Sequence, residues 1–191
     1  MNHRPLALML LGACAALSPG CQARLFDVNL FIVGEQTSLE KQVLGSYNAL
    51  GENLLVYSSV RGVDQDGELR ELPPATDSQR AAFAALRNRE YNADDVQAIL
   101  AAGLAGEGRD AMLQWREEPR AIGLISAEDA RRIVVEENAD REVLLARLMQ
   151  TTPGAAPTDE AEVRWILAGL NAGAAPAGAW IQGRDGTWRR R

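Results

Sequence analysis

SAEDARRIVVEENADREVLLARLMQ, from Ser126 to Gln150, is the longest stretch of the chain that reads as a single helix. Ser126 stands where an N-cap hydroxyl is favoured, and Glu128 and Asp129 follow in the first turn, where the helix macrodipole favours negative charge. Ile133, Val134, Val143, Leu144 and Leu148 are its core candidates, and Thr151-Thr152-Pro153-Gly154-Ala155-Ala156-Pro157 ends it in a linker. Thr158 is placed to cap a following helix whose apolar face is Val163, Ile166, Leu167 and Leu170, with Trp165 beside it. Beyond Ala174-Ala175-Pro176, two short β segments, Ala179-Trp180-Ile181-Gln182 and Thr187-Trp188, flank Gly183-Arg184-Asp185-Gly186, and the Asp-Gly pair predicts a terminal hairpin.

The same pattern of short helices runs toward the N-terminus. Asn92 is placed to cap a helix from Asp94 to Ala102 that buries Val96, Ile99 and Leu100, with Gly103 as a left-handed stop. Gly103, Gly106 and Gly108 then read as a loop between helices, since neither a P-loop lysine nor a GxGxxG pattern accompanies them. A helix near Asp77 to Tyr91 turns Ala82, Phe83 and Leu86 inward. Upstream of the polar loop between Val63 and Pro74, Thr37-Ser38-Leu39-Glu40 has capping-box spacing ahead of Leu39, Val43, Tyr47, Leu50 and Leu54. Gly45 and Gly51 interrupt that helix, each either weakening it or admitting another element at close range. Phe26, Val28, Leu30 and Ile32 alternate with polar residues, the period of a half-buried strand. The expected fold class is therefore mainly α, a short-helix bundle with an N-terminal strand and a small C-terminal β-hairpin.

Composition narrows the function. The chain has 191 residues, 20 basic against 26 acidic, for a net charge of −6, and an acidic surface does not suit phosphate backbones, so no nucleic acid is expected. Its one histidine, His3, and its two cysteines, Cys14 and Cys21, all lie in the first 21 residues. That segment has the form of an export signal: Arg4 precedes an apolar run from Leu6 to Leu17, shorter than the ~20 residues that span a bilayer. Ser18-Pro19-Gly20-Cys21 looks like a bacterial lipobox, with residues 1–20 as a lipoprotein signal peptide and Cys21 as the lipidated N-terminus. Leu11-Gly12-Ala13-Cys14 matches the local pattern better but leaves a very short signal; plain secretion into the periplasm is the other alternative.

Processing at Cys21 would leave 171 residues with a net charge of −7, no histidine and no possible disulfide. Histidine-dependent triads and histidine-ligated zinc then fall away, and no cofactor or metal is expected. The acidic pairs Glu117-Glu118, Glu136-Glu137 and Asp159-Glu160 suit helix ends and solvated faces better than glycoside cleavage, because neighbours on a helix point about 100° apart. Gln22 after Cys21, in place of an inner-membrane retention Asp, favours the periplasmic face of the outer membrane.

Asn138-Ala139-Asp140-Arg141, a helix after a linker, and Pro176-Ala177-Gly178-Ala179-Trp180-Ile181-Gln182 with Gly186-Thr187-Trp188 and terminal arginines resemble the YdbL-like family of envelope proteins. The likeness covers Ile133 to Arg191 and implies a YdbL-like helical domain at 120–191, preceded by an N-terminal helical region with its leading strand at 21–119. It further implies a chaperone-like or assembly role beside AsmA-like systems that bridge the two membranes and carry lipids, and so a protein partner in the envelope. A peptidoglycan-associated scaffolding lipoprotein is the alternative.

Two candidate partner-binding elements stand out. The strand bearing Phe26, Val28, Leu30 and Ile32 lies close to the lipid and could add to another protein's sheet edge, although packing within its own domain is its default role. Trp180 and Trp188 serve either as staples of the terminal hairpin or as an aromatic contact surface.

Overall fold

The computed structural model describes residues 37–58 and 74–191. The signal segment with Cys14 and Cys21, the strand of Phe26, Val28, Leu30 and Ile32, and most of the polar loop before Pro74 lie outside the described residues. The fold is mainly α. In chain order the elements are α1 (Ser38–Ser58), α2 (Asp77–Tyr91), α3 (Ala93–Ala101), β1 (Ala105–Glu107), β2 (Leu113–Trp115), α4 (Ala127–Thr151), α5 (Glu160–Ala174), β3 (Trp180–Gln182) and β4 (Trp188–Arg190).

Local chemistry sets most of these boundaries. Thr37 and Glu40 form the expected capping box of α1, with the Glu40 amide donating to the Thr37 hydroxyl at 3.1 Å. An equivalent box opens α2, where Thr76 and Gln79 exchange bonds of 2.8 and 3.2 Å. The Ser126 hydroxyl accepts from the Asp129 amide at 3.0 Å, so α4 starts where its sequence predicts. Two caps differ from expectation. Asn92 makes no side-chain cap; its amide reaches across to Glu136 instead. Thr158 lies inside a 3-10 turn, Pro157–Asp159, and it is the Asp159 carboxylate that accepts from the Ala156 amide at 2.8 Å. Proline at the head of that turn lacks a donor and favours this tight winding over a direct helix start.

The hairpin is part of a larger sheet. The strands lie in the order β2-β1-β3-β4, with β1 parallel to β3 and the other pairs antiparallel. The glycine-rich stretch is therefore a strand rather than a loop between helices: Gly103, at φ 73°, turns the chain out of α3, and Ala105, Gly106 and Glu107 run between two partners. Small residues there let a neighbouring backbone and its rings approach closely. The sheet thus joins strands from either side of residue 119.

The long helix α4 organises the interior. Ile133 and Val134 pack with α3 and the sheet; Leu145 and Leu148 pack with Val43 of α1 and Val163, Ile166 and Leu167 of α5; Leu144 packs with Leu50, Phe83 and Leu86. Val143, expected in the core, is exposed, because the face that turns inward runs through residues 133, 137, 141, 144 and 148. Gly45 is likewise exposed and approaches nothing, so it is no packing device.

Asn138 on α4 closes the sheet against its helix. Its side-chain amide donates to the Leu113 carbonyl at 3.0 Å and its oxygen accepts from the Leu113 amide at 2.8 Å, which occupies both backbone groups of a buried residue in β2. Asn138→Ala is expected to lower stability by about 1–3 kcal/mol, the range for stranding such groups. Urea unfolding checks this, and a loss well under that range would mean that water replaces the asparagine.

Candidate functional site

The register of the sheet sorts its side chains into two faces. Ile181 points into the core, so its neighbours Trp180 and Gln182 point outward, and the pairings Trp180 with Arg190 and Gln182 with Trp188 put all four on one side. Gly106 lies beside Trp180 on that side. Having no side chain, it lets both rings close over it: a Cβ at 106 would stand 2.6 Å from Trp188 Cζ3 and 2.7 Å from both Trp180 Cβ and the Trp180 carbonyl oxygen.

Guanidinium groups complete the surface. Arg116, just past β2, lies over the Trp188 ring at 4.4 Å from its centroid and 5.5 Å from that of Trp180. Arg190 covers Trp180 at 3.8 Å and donates to the Gly178 carbonyl at 2.7 Å. Each stack contributes on the order of 0.5–2 kcal/mol according to its desolvation. Arg116 and Arg190 form no salt bridge among the described residues, and both rings remain half-buried, outside every core cluster. The result is a basic, aromatic platform in which Trp180 and Trp188 are brought together.

Beneath the platform, β1 is held by a buried ionic network. Arg141 of α4 grips Glu107 through two bonds of 2.6 and 3.0 Å, donates through Nε to Glu137 at 2.6 Å and through Nη1 to the Ala111 carbonyl at 2.8 Å. Arg89 of α2 meets the other side of the network, donating to Glu137 at 2.9 Å, the Tyr47 hydroxyl at 3.2 Å and Asn171 at 3.3 Å. Asn171 of α5 donates to the same Ala111 carbonyl at 3.2 Å. Ala111 adopts φ 70°, a left-handed conformation uncommon outside glycine, and these two donors hold it there.

Electrostatics within the network are balanced, two arginines against two glutamates. Burial alone would push the Glu137 carboxyl up, but Arg89 and Arg141 outweigh it and hold it below the ordinary glutamate range. Burial likewise opposes charge on Arg141, and Glu107 and Glu137 overcome it, so its guanidinium is held more firmly than in water. Asp140 is the exception: burial raises its carboxyl above the usual range, with one oxygen accepting from Asn88 at 3.3 Å and the other unpartnered.

Five of the six residues in the acidic pairs weighed for catalysis have partners within the fold. Glu136 and Glu137 pair with Arg132 and with Arg89 and Arg141, Glu160 with Arg164, and Glu117 with Arg120, while Asp159 caps the 3-10 turn. Among the described residues no group of three or more His, Cys, Asp or Glu side chains could hold a metal ion, and no helix is long and apolar enough to cross a membrane. Gly106 and Arg116 are site residues that sequence patterns do not single out, whereas Arg190 belongs to the terminal arginines already noted. A glycine within a glycine-rich stretch is the available signal for Gly106; Arg116 has none, because only tertiary folding carries it to the rings.

Comparisons with protein-family models, with curated proteins and with solved structures give no significant match.

Proposed function

We propose that this chain is a non-enzymatic outer-membrane lipoprotein facing the periplasm, anchored through Cys21, and that it acts as an assembly or chaperone-like partner of an AsmA-like bridge that carries lipids between the membranes. The observation that carries the docking part of this reading is the Trp180–Arg116–Trp188 platform on the outer face of the sheet. Tryptophan and arginine dominate binding hot spots because they offer large apolar area and directed charge at little entropic loss. The resemblance of residues 133–191 to YdbL-like proteins supports the choice of partner, and the segment 1–21 supports the address.

The test is envelope crosslinking and pull-down of the lipidated full-length protein. Recovery of an AsmA-like bridging protein is expected, reduced at least tenfold by Trp180→Ala with Trp188→Ala, since truncating one hot-spot ring costs about 2 kcal/mol or more. Circular dichroism of the variant controls for folding. Unchanged capture by the folded variant would leave both rings as staples of the hairpin, and recovery of peptidoglycan fragments without a bridging protein would favour the scaffolding alternative.

A further inference from the structure

The opposite face of the same hairpin borders a cleft of about 480 Å³, between α5 and the inner side of β3 and β4. Helix α5 turns Val163, Ile166 and Leu167 into the core, and its other flank supplies Trp165, Ala168, Gly169, Ala172 and Gly173 to the cleft. Those positions repeat at intervals of three and four, so they share one side of the helix. Four small residues there leave the space between helix and hairpin unfilled, with Trp165 closing one wall and Ile181 forming the floor. The volume lies within the ~300–1,000 Å³ typical of small-ligand sites.

The charge lining this cleft is mainly positive. Glu107 lines it, but its carboxylate is already gripped through both oxygens by Arg141. Arg189 and Arg191 stand at the rim; Arg191 donates to the Ala175 carbonyl, while Arg189, whose charge helps to lower the Asp185 carboxyl, makes no side-chain hydrogen bond or salt bridge among the described residues. An apolar trough with a cationic end fits a molecule that is apolar along its length and anionic at one end. A peptide strand fits less well, because most of its amides and carbonyls would be desolvated along the alanine, glycine and Ile181 side chains, which carry no hydrogen-bonding group.

We propose that this cleft binds a single-chain fatty acid, its acyl chain along Trp165, Ala168, Ala172 and Ile181 and its carboxylate beside Arg189 and Arg191. This goes beyond the docking platform, since Trp180 and Trp188 occupy the other face of the hairpin, and each site can fail while the other stands.

Stearate brominated along its chain, added to the full-length protein below its micelle concentration, is the probe, because bromine quenches tryptophan at contact. Saturable quenching is expected, and Trp165→Phe should remove most of it while Trp180 and Trp188 still fluoresce. Gly169→Leu should abolish binding. At position 169 an added Cβ meets nothing within 4 Å, so the side chain fills the cleft while relieving glycine's helix penalty, and the melting temperature should hold or rise. Arg189→Glu, or the methyl ester of the probe in place of the acid, should weaken binding at least tenfold. The proposal is overturned if no quenching occurs, if Gly169→Leu quenches like the wild type, or if only vesicles of brominated anionic phospholipid quench, which would make the face a membrane contact rather than a fatty-acid site.

Discussion

Arg141→Met is expected to destabilise the protein by roughly 3–5 kcal/mol, the cost of leaving a buried charge without its partner. For a chain of this size that is on the order of 10 °C in melting temperature, at about 2–4 °C per kcal/mol. The guanidinium is almost wholly inaccessible and neutralises Glu107, which is 3% exposed and has no other cation within salt-bridge distance among the described residues. Methionine replaces the aliphatic stem of the side chain but not its guanidinium, so it leaves the Glu107 carboxylate bare and removes a donor from the Ala111 carbonyl. Glu137 suffers less, because Arg89 still holds it. Adding Glu107→Leu to Arg141→Met should therefore recover most of the loss, since an apolar pair in place of a buried ion pair is often neutral or better. Urea unfolding of the wild type, both single variants and the double variant measures the coupling. A loss below about 1 kcal/mol for Arg141→Met would place the pair with weak surface bridges and sink the idea that it anchors β1.

The same network gives acid sensitivity a direction. Glu137 titrates below its unfolded value, so its contribution to stability is complete above the ordinary glutamate range and is lost as pH falls through the lowered folded value. Asp140 acts in the opposite sense: its raised carboxyl means the folded state binds a proton more readily, which adds stability as pH falls toward the ordinary aspartate range. Asp140→Asn should therefore stabilise the protein near neutral pH and flatten that gain in acid, as read from unfolding midpoints across pH 3 to 7.

What could be read from residue order alone was whatever is settled within one or two turns of chain. The capping box at Thr37, the N-cap at Ser126, the left-handed Gly103 and the Asp-Gly turn of the hairpin are local devices, and they stand where their spacing puts them. The boundary at Thr158 slipped by one residue because Pro157 offered a competing tight turn. β1 carries no signal in the sequence because Ala105, Gly106 and Glu107 have little strand propensity; their conformation comes from pairing with β2 and with β3, which lies more than 70 residues along the chain. The apolarity of Val143 predicts a core position, but the inward face passes through Glu137 and Arg141 instead. Two charged residues continuing an apolar helical stripe are themselves a readable sign of a buried ion pair, but their partners, Glu107 and Arg89, lie 34 and 48 residues away and only folding brings them together.

One methyl group at Gly106 should act in the opposite sense from the same group at Gly45. Alanine is the better residue for chain entropy at both positions, and in the exposed middle of α1, where a Cβ at 45 would meet nothing, Gly45→Ala should stabilise by up to about 1 kcal/mol. At 106 the Cβ would lie 2.7 Å from the Trp180 carbonyl as well as 2.6 Å from Trp188, and the carbonyl belongs to the strand paired with β1. The Trp188 ring can swing away, but the Trp180 backbone cannot move without parting β1 from β3. Gly106→Ala is accordingly expected to cost about 1–3 kcal/mol, as overpacking of a closed contact does. It should also displace both rings from Arg116, altering the near-ultraviolet dichroism of the tryptophans and reducing partner capture along with Trp180→Ala and Trp188→Ala. If Gly106→Ala proved neutral in stability while the dichroism changed, the rings alone would have moved, and the platform would be a pliable surface rather than one set by the sheet. If neither changed, the contact between Gly106 and the two rings would have no part in the fold or the site.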